Sequence, residues 1–292
     1  MPKSKWNLNT IYISERLQES LRPISRCAMT TVVAPMGYGK TTAVEWYLAE
    51  RAGAEAPYIV RISVYSSNLA IFWKSVQDAF ARAGFAFLRE YDCPTDGASG
   101  GLLIDDLCHA LTGEKSCYIF IDDFHLLTDK RAPGFLCALA GRLPPNVHLI
   151  LASRDLFLPA AELVRLGGKV YQIGTAQLRL NHTELAVYTK RCGTALSDEQ
   201  IDTLLYYSEG WFSAVYLNLR MFSEHGVLPD PNSDISSIFT AAMIDPLPEK
   251  QREFLAVMGL ADEFTVEMAQ FVMADAHAED LLAALTGQNA FV

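Results

Sequence analysis

Two glycines, a lysine and a threonine in the stretch TVVAPMGYGKTT (31–42) have the types and spacing to hold an anion. Successive backbone N–H groups can point inward around phosphate oxygens only where the chain turns with positive φ or comes very close to the anion. Gly37 and Gly39 occupy those positions. Lys40 can then reach terminal phosphates, and Thr41 can offer its hydroxyl to Mg²⁺. Ala34 stands where the usual phosphate loop has its first glycine. One methyl group is tolerable there if φ stays negative. The expected cofactor-binding set is Pro35, Gly37, Tyr38, Gly39, Lys40, Thr41 and Thr42.

A phosphate-bound metal needs a second anchor, which this chemistry takes from a carboxylate at the end of a neighbouring buried strand. The chain offers IDD twice. In GLLIDDLCHAL (101–111) the pair falls within a helical apolar pattern and reads as a solvated helix face. In CYIFIDDFH (117–125) five apolar or aromatic residues lead directly into Asp122 and Asp123. That places both carboxylates at the C-terminal end of a strand, where α/β sheets bind ligands. Asp122 is expected to hold Mg²⁺ with Thr41, and Asp123 to orient or deprotonate an attacking water; the alternative is a capping pair after a structural strand. Arg154, after the apolar run LILAS, is expected to detect a terminal phosphate, with a solvent-facing arginine as the alternative. The expected catalytic set is therefore Lys40, Asp122, Asp123 and Arg154. His125, a lone histidine after the acidic pair, reads as a hydrogen-bonded structural residue. The nearest approach to a guanine-selecting N/T-K-x-D motif, TKRC at 189–192, lacks the aspartate, so ATP is favoured over GTP.

The elements that must position these groups alternate. Apolar, β-branched runs at 28–34, 57–64, 116–125, 146–155 and 167–174 read as strands, with helical patterns at 41–53 and 68–84 and around 131–143 between them. Such alternation predicts an α/β fold with a parallel sheet covered by helices on both faces. From 175 onward the pattern is helical, and NHTE (181–184) and SDEQ (197–200) have capping-box spacing. GVLPDPNSDIS (226–236) has the prolines and small polar residues of a linker. The expected domains are 1–174, 175–228 and 229–292. The apolar end at Phe291 and Val292 reads as that of a fragment.

Of the net charge of −10, residues 230–292 carry −9, with eleven acidic side chains against two basic ones. A duplex reader neutralises phosphates with Lys and Arg, so direct DNA binding by this part is not expected. The six cysteines lie far apart with no C-x-x-C pair, which argues against a zinc site or disulfide framework. No apolar run is long enough to span a bilayer, and a cytoplasmic protein is expected.

Taken in order, APMGYGKTT, SSNLAIFWKSV, YIFIDDFHLL, LPPNVHLILASR, LPAAELVRLGG, LRLNHTEL and YYSEGWFSAVYLNL resemble the N-terminal half of the large ATP-dependent LuxR-type regulators of the MalT kind, which are STAND P-loop ATPases. Ala at position 34 is ordinary in that family. The resemblance implies Walker A at Gly37–Thr42, Walker B at Asp122 and Asp123, a sensor arginine at Arg154, a helical arm domain and a winged-helix domain from about 229. It places Trp211, in EGW, near the nucleotide's base or alternatively in core packing. It implies a slow ATPase that works as a switch, with ATP or ADP and Mg²⁺ as ligands and nucleotide-dependent self-association of the full-length protein. The family's inducer-binding and DNA-binding domains lie outside the residues that carry the resemblance. A P-loop small-molecule kinase and an AAA-type ATPase are the rival readings.

Overall fold

The computed structural model describes residues 7–8, 10–226, 228, 240, 244–245, 247–261 and 264–288. The chain divides into two compact units: Thr10–Glu184, and Met1–Asn9 together with Leu185–Val292. The linker expected at 226–236 and the end at Phe291 and Val292 fall almost wholly outside the described residues.

The first unit is built on a parallel sheet of five strands, β1 (Met29–Val33), β2 (Tyr58–Ser63), β3 (Cys117–Asp122), β4 (Val147–Ser153) and β5 (Val170–Ile173). Their spatial order is β2-β3-β4-β1-β5. Every residue of β3 and β4 is buried. Strands covered on both faces cannot alternate apolar with polar, which is why these two read as continuous apolar runs.

Side chains on successive strand residues point to opposite faces, and β3 sorts them into two cores. Ile119 and Ile121 join Val60, Ile62 and Leu149 in a core shared with α3 (Leu69–Arg82), α4 (Gly97–Leu111) and α5 (Arg131–Arg142). Tyr118 and Phe120 join Val32, Ile150, Val44 and Leu48 in the other, shared with α1 (Glu15–Leu21) and α2 (Lys40–Glu55). Helices therefore cover both faces, as the alternation of patterns predicts. Asp122 continues the parity of Tyr118 and Phe120, so its side chain falls on the face where α2 begins.

Two details depart from the sequence reading. The third strand stops at Asp122, and Phe124–Leu126 forms a short 3-10 turn instead of prolonging the strand to 125. The carboxylate strand is also not the immediate neighbour of the loop strand, because β4 lies between β3 and β1.

After the short helices α6 (Ala160–Leu166) and α7 (Thr175–Leu178), α8 (His182–Arg191) leads into the second unit. The Asn181 side chain accepts from the Glu184 N–H at 2.9 Å, and Glu184 Oε2 accepts from the Asn181 N–H at 2.9 Å. Ser197 and Gln200 cap α9 (Asp198–Ser208) in the same reciprocal way. Helix α10 (Phe212–His225) follows. Further on, α11 (Glu249–Met258), α12 (Val266–Met273) and α13 (Ala278–Gln288) pack around Phe254, Met258, Ala269 and Leu285.

Candidate nucleotide-binding site

The bend after β1 has the backbone an anion cradle needs. Gly37 and Gly39 sit at φ 79° and 74°, a region that costs an L-residue about 1–2 kcal/mol. A Cβ added at Gly39 would meet no atom within 4 Å, so φ rather than crowding calls for glycine there. Among the described residues, positive φ outside glycine occurs at Ala56, Asp123, Glu209 and Ala274 and not at Ala34, which is buried at the strand exit. The Ala34 methyl is thus accommodated in the way the sequence demands. Helix α2 starts immediately after Gly39 with no side chain capping its first amides, which leaves the positive end of its dipole facing the bend.

Lys40 is the first residue of that helix and is buried. Its Nζ donates to the Ala34 carbonyl at 2.8 Å and to the Pro35 carbonyl at 3.1 Å. Burial pulls the ammonium below its ordinary pKa; the Asp123 charge opposes the shift, Arg154 adds to it, and Asp122 opposes it. These four side chains therefore share one electrostatic neighbourhood.

Asp122 ends β3 and is itself buried. Its Oδ1 accepts the Asp123 N–H at 2.9 Å, and the Thr41 side chain lies close to the same carboxylate. Burial raises the Asp122 carboxyl above the usual aspartate range. The nearby Thr41 hydroxyl works against that rise, while the Asp123 charge reinforces it. Asp123 takes a left-handed conformation, φ 52° and ψ 36°, where the chain leaves the strand. Aspartate enters this region more readily than most residues, and such conformations cluster at functional sites. Arg154 follows the fully buried Ser153 at the end of β4, and its charge acts on both Lys40 and His125.

The loop, both carboxylates and the arginine are accordingly gathered at the C-terminal edges of β1, β3 and β4. Thr42 is exposed on the first turn of α2, and Tyr38 packs its ring against the core shared by α1 and α2. Trp211 belongs to the other unit, directly before α10. The pair Asp105 and Asp106 lies exposed on α4, where Arg142 reaches Asp105 at 2.9 Å. Phe72 and Trp73 pack against the core on the α3 side.

His125 departs from expectation. Its side chain is only 10% exposed, yet neither ring nitrogen has a hydrogen-bond partner. The hydrogen bonding expected of it from sequence is thereby corrected. Its adjacency to the acidic pair in IDDFH was the available signal, but a lone histidine has no period or partner that sequence can display.

A ligand set of one hydroxyl and one carboxylate suits Mg²⁺, which takes few protein ligands and completes its shell from phosphates and water. Among the described residues no cluster of three or more His, Cys, Asp or Glu side chains could hold a metal, and no helix is long and apolar enough to cross a membrane.

Residues 240–292 match the family described as the MalT winged helix domain. The HTH-type transcriptional regulator MalT of Vibrio campbellii (strain ATCC BAA-1116) is 21% identical over 306 residues, covering 97% of this chain and 32% of that protein. Its counterpart in Yersinia pestis (strain Pestoides F) is 22% identical over 295 residues, covering 97% and 33%. The chain is thus similar to MalT proteins along nearly its whole length. Among solved structures, the Walker-type ATPase paby2304 of Pyrococcus abyssi matches with a TM-score of 0.51 at 12% identity, covering 98% of this chain and 91% of that one. This likeness supports the P-loop α/β fold of the chain. The chain spans about a third of the length of the curated relatives.

Proposed function

We propose that this chain is the nucleotide-operated switch of a MalT-type transcriptional regulator, binding ATP or ADP with Mg²⁺ and hydrolysing ATP slowly. The observation that carries the reading is the closeness of the Thr41 side chain to the Asp122 carboxylate. It joins the first turn of the loop helix to the end of β3, so that one hydroxyl and one carboxylate face a metal position beside the anion cradle. Bound Mg²⁺ would supply charge to offset that of the β- and γ-phosphates.

The protein's own groups divide the work. Amides of the 37–41 bend hold phosphate oxygens, and Lys40 leaves the Ala34 and Pro35 carbonyls to meet the terminal phosphates. Asp123 orients water and takes up its proton. Arg154 distinguishes ATP from ADP, because the γ-phosphate adds charge that a guanidinium at the end of β4 can engage. A ligand that interacts differently with two arrangements shifts the balance between them, and hydrolysis resets it. Self-association of the longer protein in the ATP state is part of this reading. The −9 balance of residues 230–292 favours packing against partner surfaces over DNA.

Calorimetric titration of the purified chain with ADP and Mg²⁺ tests the proposal. Saturable binding at one site per chain is expected, with phosphate as the sole transfer product when ATP replaces ADP. Equal ADP affinity for the wild type and Lys40→Ala would remove its basis.

A further inference from the structure

Protein interiors are packed about as densely as organic crystals, and voids larger than a water molecule are few. Between the sheet and helices α3, α4 and α5 the first unit departs from that rule with a cavity of about 420 Å³. Ile119 and Ile121 of β3 line it from the sheet side, and Trp73 and Phe80 of α3, Leu103 of α4 and Phe135 of α5 from the helix side. Side chains of β3 alternate between faces, so the cavity lies on the face opposite Asp122. The phosphate bend and Arg154 take no part in its lining.

The helices leave this space rather than filling it. Gly101 of α4 and Gly134 of α5 belong to the lining, and a Cβ added at either would meet no atom within 4 Å. Glycine inside a helix is destabilising relative to alanine, so both helices give up some stability where the cavity has its room. Charged groups lie at the rim. Arg131 is paired with Asp129 at 2.7 Å and Arg142 with Asp105 at 2.9 Å, and the Asp96 carboxylate accepts the Ser99 N–H at 2.8 Å as the cap of α4. Both arginines of the lining are therefore already neutralised, and an incoming acid would meet the Asp96 and Asp129 carboxylates with no unpaired cation to receive it.

We propose that this cavity is a binding site for an uncharged, mainly apolar small molecule, whose ring system or hydrocarbon chain fills the space against β3 and whose polar end, a hydroxyl or carbonyl, sits among the paired groups of the rim. An apolar cavity of about 150 Å³ stays dry and takes up benzene. The larger volume here suits a molecule of naphthalene or medium-chain size. Sites of about 300–1,000 Å³, lined by apolar and aromatic side chains with a few polar groups to fix orientation, are the usual form of small-molecule pockets. The inference stands apart from the nucleotide reading, because it uses the other face of the sheet.

The test is a fluorescence titration of the purified chain with prodan, a neutral naphthalene ketone whose emission shifts in apolar surroundings. Saturable binding of one probe per chain is expected, displaced by decanol, with decanoate weaker as a competitor by about tenfold or more at neutral pH. Gly101→Leu places a side chain in the open space of the lining and should weaken prodan by about tenfold or more. The control is Gly53→Leu on α2, where an added Cβ also meets no atom within 4 Å but no part of the cavity is touched; its affinity should stay within about twofold of wild type. Binding that does not saturate, equal affinity for wild type and Gly101→Leu, or decanoate competing as well as decanol overturns the proposal. If Gly101→Leu does not fold, Ala132→Leu, in the lining from α5, makes the same comparison. Wild-type protein that binds ADP and not prodan sinks this inference alone, whereas saturable prodan binding without ADP binding supports it and sinks the switch reading.

Discussion

The Lys40 ammonium is bound to the carbonyl oxygen of Ala34, six residues earlier, at 2.8 Å. A lysine that nominally serves phosphates here closes its own loop, which keeps a buried charge hydrogen-bonded when no anion is present. The loop is thus held in shape by the residue that the ligand would recruit.

Lys40→Ala should weaken ADP binding by more than about tenfold, since one charge-assisted contact to phosphate contributes about 1.5–3 kcal/mol. The fold should survive, because the lost bonds run to carbonyls at the edge of the loop and the charge itself is penalised by burial. Calorimetry and thermal melts on the same samples check both halves.

Asp122→Asn is expected to raise the thermal midpoint of nucleotide-free protein at neutral pH while abolishing Mg²⁺-dependent nucleotide binding. The carboxyl is raised by burial above its ordinary value of 3.8. The penalty on its charged form is therefore present in full above the raised folded value and vanishes as pH falls below 3.8. Asn keeps an oxygen for Thr41 and the Asp123 N–H, so relief of about 1 kcal/mol, or ~2–4 °C, is expected. Melts at neutral and acidic pH should show the gain shrinking with acidity.

Arg154→Ala should leave ADP affinity within about twofold and erase about tenfold of any preference for ATP. Competition between the two nucleotides for a fluorescent analogue gives the ratio directly. Unchanged discrimination would return Arg154 to the status of a surface residue.

Arg16→Ala tests the fold rather than the site. Arg16 Nε and Nη2 donate to the two Glu184 carboxylate oxygens at 2.9 Å each, and Glu184 is buried. Burial alone would raise the Glu184 carboxyl, but the Arg16 hydrogen bond, with Ser14 and the Asn181 N–H, brings it below the ordinary 4.5. Such a group stabilises the fold above 4.5 and loses that contribution as pH falls through its lowered folded value. The variant should lose about 2 kcal/mol at pH 7, and the gap to wild type should close in acid. Denaturant melts across pH would reveal it.

Much of this protein could be read from residue order because the relevant forces are local. Gly37 and Gly39 announce positive φ, since no other residue takes it cheaply. The unbroken apolar run before Asp122 announces a strand buried on both faces. The capping boxes at Asn181 and Ser197 announce helix starts, as both partners lie within one turn. What residue order could not decide were the relations set by packing across the chain. That β4 inserts between β1 and β3, bringing Arg154 between the loop and the acidic pair, depends on which strands share hydrogen bonds. That the Asp122 side chain falls on the face where the loop helix begins depends on parity along a strand whose two faces bury different cores. That neither ring nitrogen of His125 has a hydrogen-bond partner is a statement about the volume around it, and only the assembled chain encloses that volume.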